Sequence, residues 1–225
     1  MAKPALRVHL SPHDLIKWLV IASGAMLAVH SLLTIVHYSI VELPWLLREL
    51  FDVDEEESIP TWFSSSLLLL TSVVLFVIAS LTRQIKDANT KYWTGLALGF
   101  GFMSVDEIAG FHETLNTVTD FSWALPGIVV VVIVGVAYLK FLTSLPPAIA
   151  IRFMMSGGIF VGGAVGVELA TEPYLYNDAL DTMAYNLWTP VEEGMEMGGV
   201  IMFLSALFDY LSSRFKMEWE FVPRR

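Results

Sequence analysis

The chain has 225 residues, 55% of them hydrophobic and only 16% charged, with a mean hydropathy of +0.62. A soluble domain carries about a quarter charged residues, so an ordinary soluble enzyme is excluded, and nothing basic and aromatic enough for nucleic acid is present. The lack of cysteine excludes disulfides, thiolate metal sites and cysteine catalysis, and the net charge of -10 divides by sign along the chain.

Six apolar stretches lie at roughly 15–41, 61–82, 92–112, 123–143, 148–171 and 186–211. Each is near the length of about 20 residues that crosses a hydrocarbon core. The first follows Lys3 and Arg7 but runs on too far for a signal peptide, without a small-x-small cleavage site. It is read as a retained helix carrying His30 and His37. The loop after it holds Asp52, Asp54 and Glu55-Glu56-Glu57. The third stretch ends Ser104-Val105-Asp106-Glu107 and continues to His112-Glu113. The fifth ends Glu168-Leu169-Ala170-Thr171-Glu172-Pro173, and the sixth begins Trp188-Thr189-Pro190-Val191-Glu192-Glu193-Gly194-Met195-Glu196. Gly158, Gly162 and Gly166, and Gly194 with Gly198, recur every four residues and predict close packing faces between helices.

Twelve of the 13 basic residues fall at the two termini and in alternate loops, leaving only Arg48 in the other set. The positive-inside rule then places both termini in the cytoplasm. The expected fold is an all-α, polytopic membrane bundle of six transmembrane helices, one domain over residues 1–225. Trp45, Trp62, Trp123 and Trp188 sit at the outer span ends, where an aromatic belt belongs.

Ionisable groups inside spans are costly and face the bundle interior or a wet cavity. At about 100° per residue, positions four or seven apart share a helix face. Asp106 pairs in this way with Glu113, Glu168 with Glu172, Glu192 with Glu196 and His30 with His37. Alternating spans bring these acids and His37 to one layer in the outer third of the bundle. Carboxylates withdrawn from water stay ionised only where a cation offsets them. Oxygen ligands with a few imidazoles suit iron, manganese or zinc. Asp106, His112, Glu113, Glu192, Glu196 and His37 are the candidate metal ligands, and Glu107 and Glu168 the candidate bases.

The run Glu57-Ser58-Ile59-Pro60-Thr61-Trp62-Phe63-Ser64-Ser65, with Ser104-x-Asp106-Glu107-x4-His112-Glu113, resembles a group of uncharacterised bacterial membrane proteins. These share an acidic loop ending in Pro-Thr-Trp and an S-x-D-E-x4-H-E signature. The likeness covers spans two and three and the Glu192-Glu193 pair. It implies a site at Asp106, Glu107, His112 and Glu113 but no reaction. The expected protein is thus a multi-pass component of the bacterial inner membrane with a divalent-metal site, acting on a lipid-like substrate as a hydrolase or oxidase. The alternatives are an accessory subunit bound to other membrane subunits of a respiratory or photosynthetic complex, and a proton or cation path.

Overall fold

The computed structural model of the chain describes residues 11–111, 114 and 122–215, and every regular element among them is helical. Helix α1 (Pro12–Ser39) begins where Ser11 accepts the Asp14 amide at 3.3 Å, with Pro12 in the first turn, where its missing N–H costs nothing. A short helix, α2 (Trp45–Phe51), precedes the acidic loop. Helix α3 (Ile59–Gln84) repeats the starting device: Ser58 accepts the Thr61 amide at 3.2 Å and Pro60 lies in the first turn. Helix α4 (Thr90–Ala109) stops at Gly110, which turns left-handed at φ 55°. Helix α5 is Ala124–Ser144, and α6 runs over Pro147–Tyr176 with a π-helical segment at Gly162–Val167. A single turn, α7 (Met183–Asn186), leads into α8 (Thr189–Arg214).

The six expected helices are present near their expected bounds, but the expected count of six transmembrane helices is corrected among the described residues. Among the described residues five segments are long and apolar enough to cross a membrane: α1, α3, α5, α6 and the α7–α8 segment Met183–Arg214. Helix α4 is 20 residues long but falls outside this set, because Lys91, Asp106 and Glu107 lower its apolarity. Helices α2 and α7 are additional to the six expected, and α6 continues through Pro173 beyond the boundary at 171.

Side-chain contacts set the directions. The Ser65 hydroxyl donates to the Ser104 carbonyl at 2.6 Å and the Ser104 hydroxyl returns the bond at 2.9 Å, while Ser72 reaches the Ala97 carbonyl at 2.7 Å. One residue number rises as the other falls, so α3 and α4 are antiparallel. Tyr138 donates to the Tyr92 carbonyl and Asn89 to Ser144, both at 3.0 Å, which sets α5 antiparallel to α4. Helix α8 runs antiparallel to both α1 and α6, through His30–Thr189, Leu27–Gly194, Phe153–Phe203 and Arg152–Ser205. The six long helices therefore alternate in direction. One end of the bundle carries Asp52–Glu57 and Asp181. The other carries the Arg214–Asp87 and Arg152–Asp209 pairs. These are called the acidic and basic ends.

Helix α8 is the axis. Leu204, Ala206 and Leu207 are fully buried on it and pack with Leu75, Ile78, Trp93, Ala97, Phe141 and Phe153 in one core. Close approach to α6 is made by Gly163 and Gly199. A Cβ at Gly163 would stand 2.8 Å from the Glu192 carbonyl oxygen, and one at Gly199 2.8 Å from that of Ser156. Gly162 and Gly194 meet only the ends of Met195 and Leu27, and Gly158, Gly166 and Gly198 meet nothing within 4 Å. The expected four-residue glycine faces are corrected by one position. The π segment adds a residue to the turn and rotates everything after it.

Candidate functional site

Helices α4 and α8 pack in steps of seven residues, two helical turns. Trp93 meets Tyr210 with ring centroids 4.8 Å apart, and Phe100 stacks on Phe203 at 5.2 Å with planes 3° apart. A further step of seven reaches Glu107 and Glu196, whose carboxylates lie within electrostatic reach of each other. Glu192 and Glu168 also lie within electrostatic reach of Glu196. Glu193 interacts with Glu196, Glu107, Glu192 and Asp54, and Glu192 with Glu168 and Asp54. Three helices and the acidic loop thus bring six carboxylates together.

Local chain geometry explains the convergence. The reciprocal Ser65–Ser104 bonds seat α4 on α3 one turn before Glu107. The π segment ends at Val167, so Glu168 begins the next α-helical turn, and Ser122 donates to its Oε1 at 3.4 Å. Gly163 lets this part of α6 lie against the backbone of Glu192 and the Cγ of Glu196. Across the mouth, Tyr185 donates to Asp54 at 2.9 Å and is coupled electrostatically to Glu168 and Glu192. The loop itself is held by Thr61, whose hydroxyl donates to the Glu55 carbonyl at 2.7 Å. The Pro-Thr-Trp run is therefore a helix start that anchors the acids above it.

Below the acids the bundle is closed. Trp93 packs edge-on to Phe141 and Phe153, and Phe153 lies 4.4 Å from Phe203 between centroids. With Ala97 and Ala206 these rings fill the centre, and among the described residues the buried polar side chains nearby, such as Thr71, Ser72 and Ser156, are hydroxyls. Charge returns toward the basic end, where Arg152 pairs with Asp209 and Arg214 with Asp87. The cluster opens toward the acidic end, where Asp54 is exposed.

Both span histidines have other work. His30 is 3% exposed. Its Nε2 lies 2.9 Å from the Asn186 carbonyl oxygen, so this nitrogen carries the hydrogen, and Nδ1 accepts the Val53 amide at 3.3 Å. Asp52 stands 3.3 Å from the same Nδ1. Beside it is a cavity of about 10 Å³ lined by His30, Thr34, Arg48, Phe51, Asp52 and Asn186, the room one water needs. His37 accepts the Leu43 amide on Nδ1 at 3.0 Å, and the Arg48 guanidinium stands 3.1 Å from Nε2. A cation already occupies the space before that ring nitrogen.

Of the sequence-derived candidates, the structure brings together Glu107, Glu168, Glu192 and Glu196, and adds Glu193, Asp54 and Tyr185. Asp106 is half-buried on the last turn of α4, and His37 sits apart with Arg48. His112 and Glu113 lie outside the described residues. No group of three or more histidine and acidic side chains among the described residues is arranged to hold a metal. Glu193 was legible through its three-residue spacing from Glu196, but its place near a span end equally suited a solvated acid. Tyr185 carried no sequence signal, because its role depends on the loop folding over it.

Two acidic groups outside the spans show how this end is tuned. The Tyr38 hydroxyl, 2.5 Å away, holds the Asp181 carboxyl below the usual range, and Arg48 adds to the effect. Partial burial, followed by repulsion from Glu49, Asp52, Glu56 and Glu57, pushes Glu55 up.

Fold and site together define an all-helical bundle, with five helices able to cross a membrane, that gathers carboxylates near one end. The chain belongs to the family described as a domain of unknown function, DUF8692, whose sequence profile matches residues 18–211. Comparison with curated proteins and with solved structures finds no match.

Proposed function

We propose that this chain is a six-span protein of a bacterial cytoplasmic membrane, with both termini inside, whose carboxylate cluster takes up a divalent cation from the outer side. The observation that supports the reading is the step-of-seven register of Trp93–Tyr210 and Phe100–Phe203, which, continued one step, brings Glu107 and Glu196 within electrostatic reach of each other above an aromatic layer. Acids withdrawn from water beside one another repel unless a cation offsets them. Among the described residues Arg48 is the only lysine or arginine at this end, and it is engaged with His37 and Asp181. The closed floor favours a binding site entered from one side over a continuous proton or cation path. The described side chains are not arranged around an ion as they stand; on this reading Glu196, Glu192 and Glu107 draw together when the cation enters, and Glu168 closes the set from α6. Iron, manganese and zinc are the ions suited to oxygen ligands of this kind. Bound there, such an ion would activate water or oxygen toward a lipid-like substrate.

The test is a melting curve of purified protein, stripped with chelator and then titrated with manganese or zinc, alongside elemental analysis. A ligand at a hundredfold excess over its dissociation constant stabilises by about 2.7 kcal/mol. Glu196→Gln removes that gain, while Glu57→Gln on the exposed loop leaves it intact. No metal in the preparation and no response to added metal would reject the reading in favour of an accessory subunit in a larger membrane complex.

A further inference from the structure

Helix α2 has two chemically different sides. Leu46 is 64% exposed and Leu47 and Leu50 are exposed beside it, while Trp45, 70% exposed, lies about 120° from the midpoint of Leu46 and Leu50, toward the polar side. At 100° per residue Arg48 falls about 180° from the midpoint of Leu46 and Leu50. That polar side is bound to the bundle. Arg48 faces His37 at 3.1 Å and pairs with Asp181 at 3.6 Å, and Asp52 at the helix end lies 3.3 Å from His30. Phe51 turns inward to the His30 cavity.

The apolar side of α2 is continuous with surfaces that face lipid if the bundle spans a membrane. Ile40 and Val41 are exposed just before it, as are Leu32 and Ile35 on α1 and Ile59 and Trp62 on the first turn of α3. Trp45, Trp62 and Trp188 are all exposed at this end of the bundle, the distribution that amphipathic aromatics adopt at a membrane boundary. The acids Asp52–Glu57 follow at once, on the side away from the apolar stripe. A segment with apolar residues on one face and polar residues on the other lies in the plane of a membrane interface.

We propose that α2 is an interfacial helix seated in the lipid boundary at the acidic end, and that this seat presses Asp52 and Val53 onto His30. The occupant of the exposed face is lipid, at the level where head groups meet acyl chains. The inference rests on the membrane-spanning reading but is independent of the proposed cation site. Lipid packing at that leaflet then bears on the position of the loop that carries Asp54 over Tyr185.

The chain has no cysteine, so single-cysteine variants can be spin-labelled without altering a background. Leu46→Cys, Leu50→Cys, Glu49→Cys and Glu57→Cys, in phosphatidylcholine vesicles, are compared by their accessibility to oxygen and to a water-soluble nickel chelate. The ratio of oxygen to nickel accessibility should be several-fold higher at 46 and 50 than at 49 and 57, with Leu50→Cys read beside Leu46→Cys in case one label disturbs the turn. Equal ratios at all four positions would overturn the seat by placing α2 in water. Low accessibility to both reagents at 46 and 50 would overturn it too, because a second copy of the chain would then cover the face. Metal titration of the unlabelled protein reads the cation site separately, so either idea can fail alone.

Discussion

Gly110 ends α4 at φ 55°, and a Cβ built there would run into the carboxylate of Glu56. The left-handed conformation costs an L-residue about 1–2 kcal/mol, and the contact with Glu56 adds to it. Gly110→Ala is expected to lower the melting temperature, whereas Gly157→Ala, which meets nothing within 4 Å inside α6, gains helix propensity and should raise it slightly. Asp181 gives a pH-dependent prediction. A carboxyl held low by Tyr38 adds stability that is complete above its unfolded value of about 3.9 and is lost as the pH falls through the lower folded value. Its side chain is 84% exposed, so the contribution is at most about 1 kcal/mol. Tyr38→Phe should therefore melt slightly below the wild type near neutral pH. The gap should narrow as the pH drops below the folded value of Asp181, and a constant gap would assign it to packing of the ring.

At the scale of elements, the π segment and the α4–α8 register decide where the acids lie. Gly163 and Gly199 each face backbone of the opposing helix. A methyl group there forces two helices apart, and such overpacking costs about 1–3 kcal/mol. Gly163→Ala and Gly199→Ala should both lower the melting temperature. Gly158→Ala and Gly198→Ala should not, and a loss at those positions instead would restore the four-residue faces. Phe203 stacks on Phe100 and touches Phe153. Phe203→Ala opens the floor beneath Glu196 and is expected to cost about 3–5 kcal/mol. A milder loss, with water-soluble probes still excluded from the basic end, would mean that the layer closes without this ring.

Across the whole molecule, the six long helices alternate in direction and basic groups collect at one end. The proposed orientation, with the termini in the cytoplasm, requires that a reporter fused at the C-terminus read cytoplasmic and one inserted in Asp52–Glu57 read external. An exposed C-terminal reporter would invert the bundle and place the cluster on the inner side. Much of this scale is legible in the residues alone. Apolar run length gives the helices, whereas the Ser58 cap and Pro60 at the start of α3 emerge only in the structure. The site is legible only in part. Glu107, Glu192 and Glu196 stand out as acids within apolar runs, but Asp54 and Tyr185 look like loop residues until the loop docks.

The amino-acid sequence by itself determined the all-helical class, the approximate bounds of the long helices and the separation of charge between the ends. Those follow from local hydrophobicity and chain length, which act along the backbone without reference to partners. Tertiary structure alone decided which acids meet. A π turn at Gly162–Val167 shifts the following face by one residue. Contacts of glycine with backbone, and of aromatic rings with one another, then fix the offset between helices. The same packing withdrew His37, because Arg48, eleven positions along the chain, folds back in front of its ring. Such offsets arise from how side chains interlock across helices, and no periodicity within one helix encodes them.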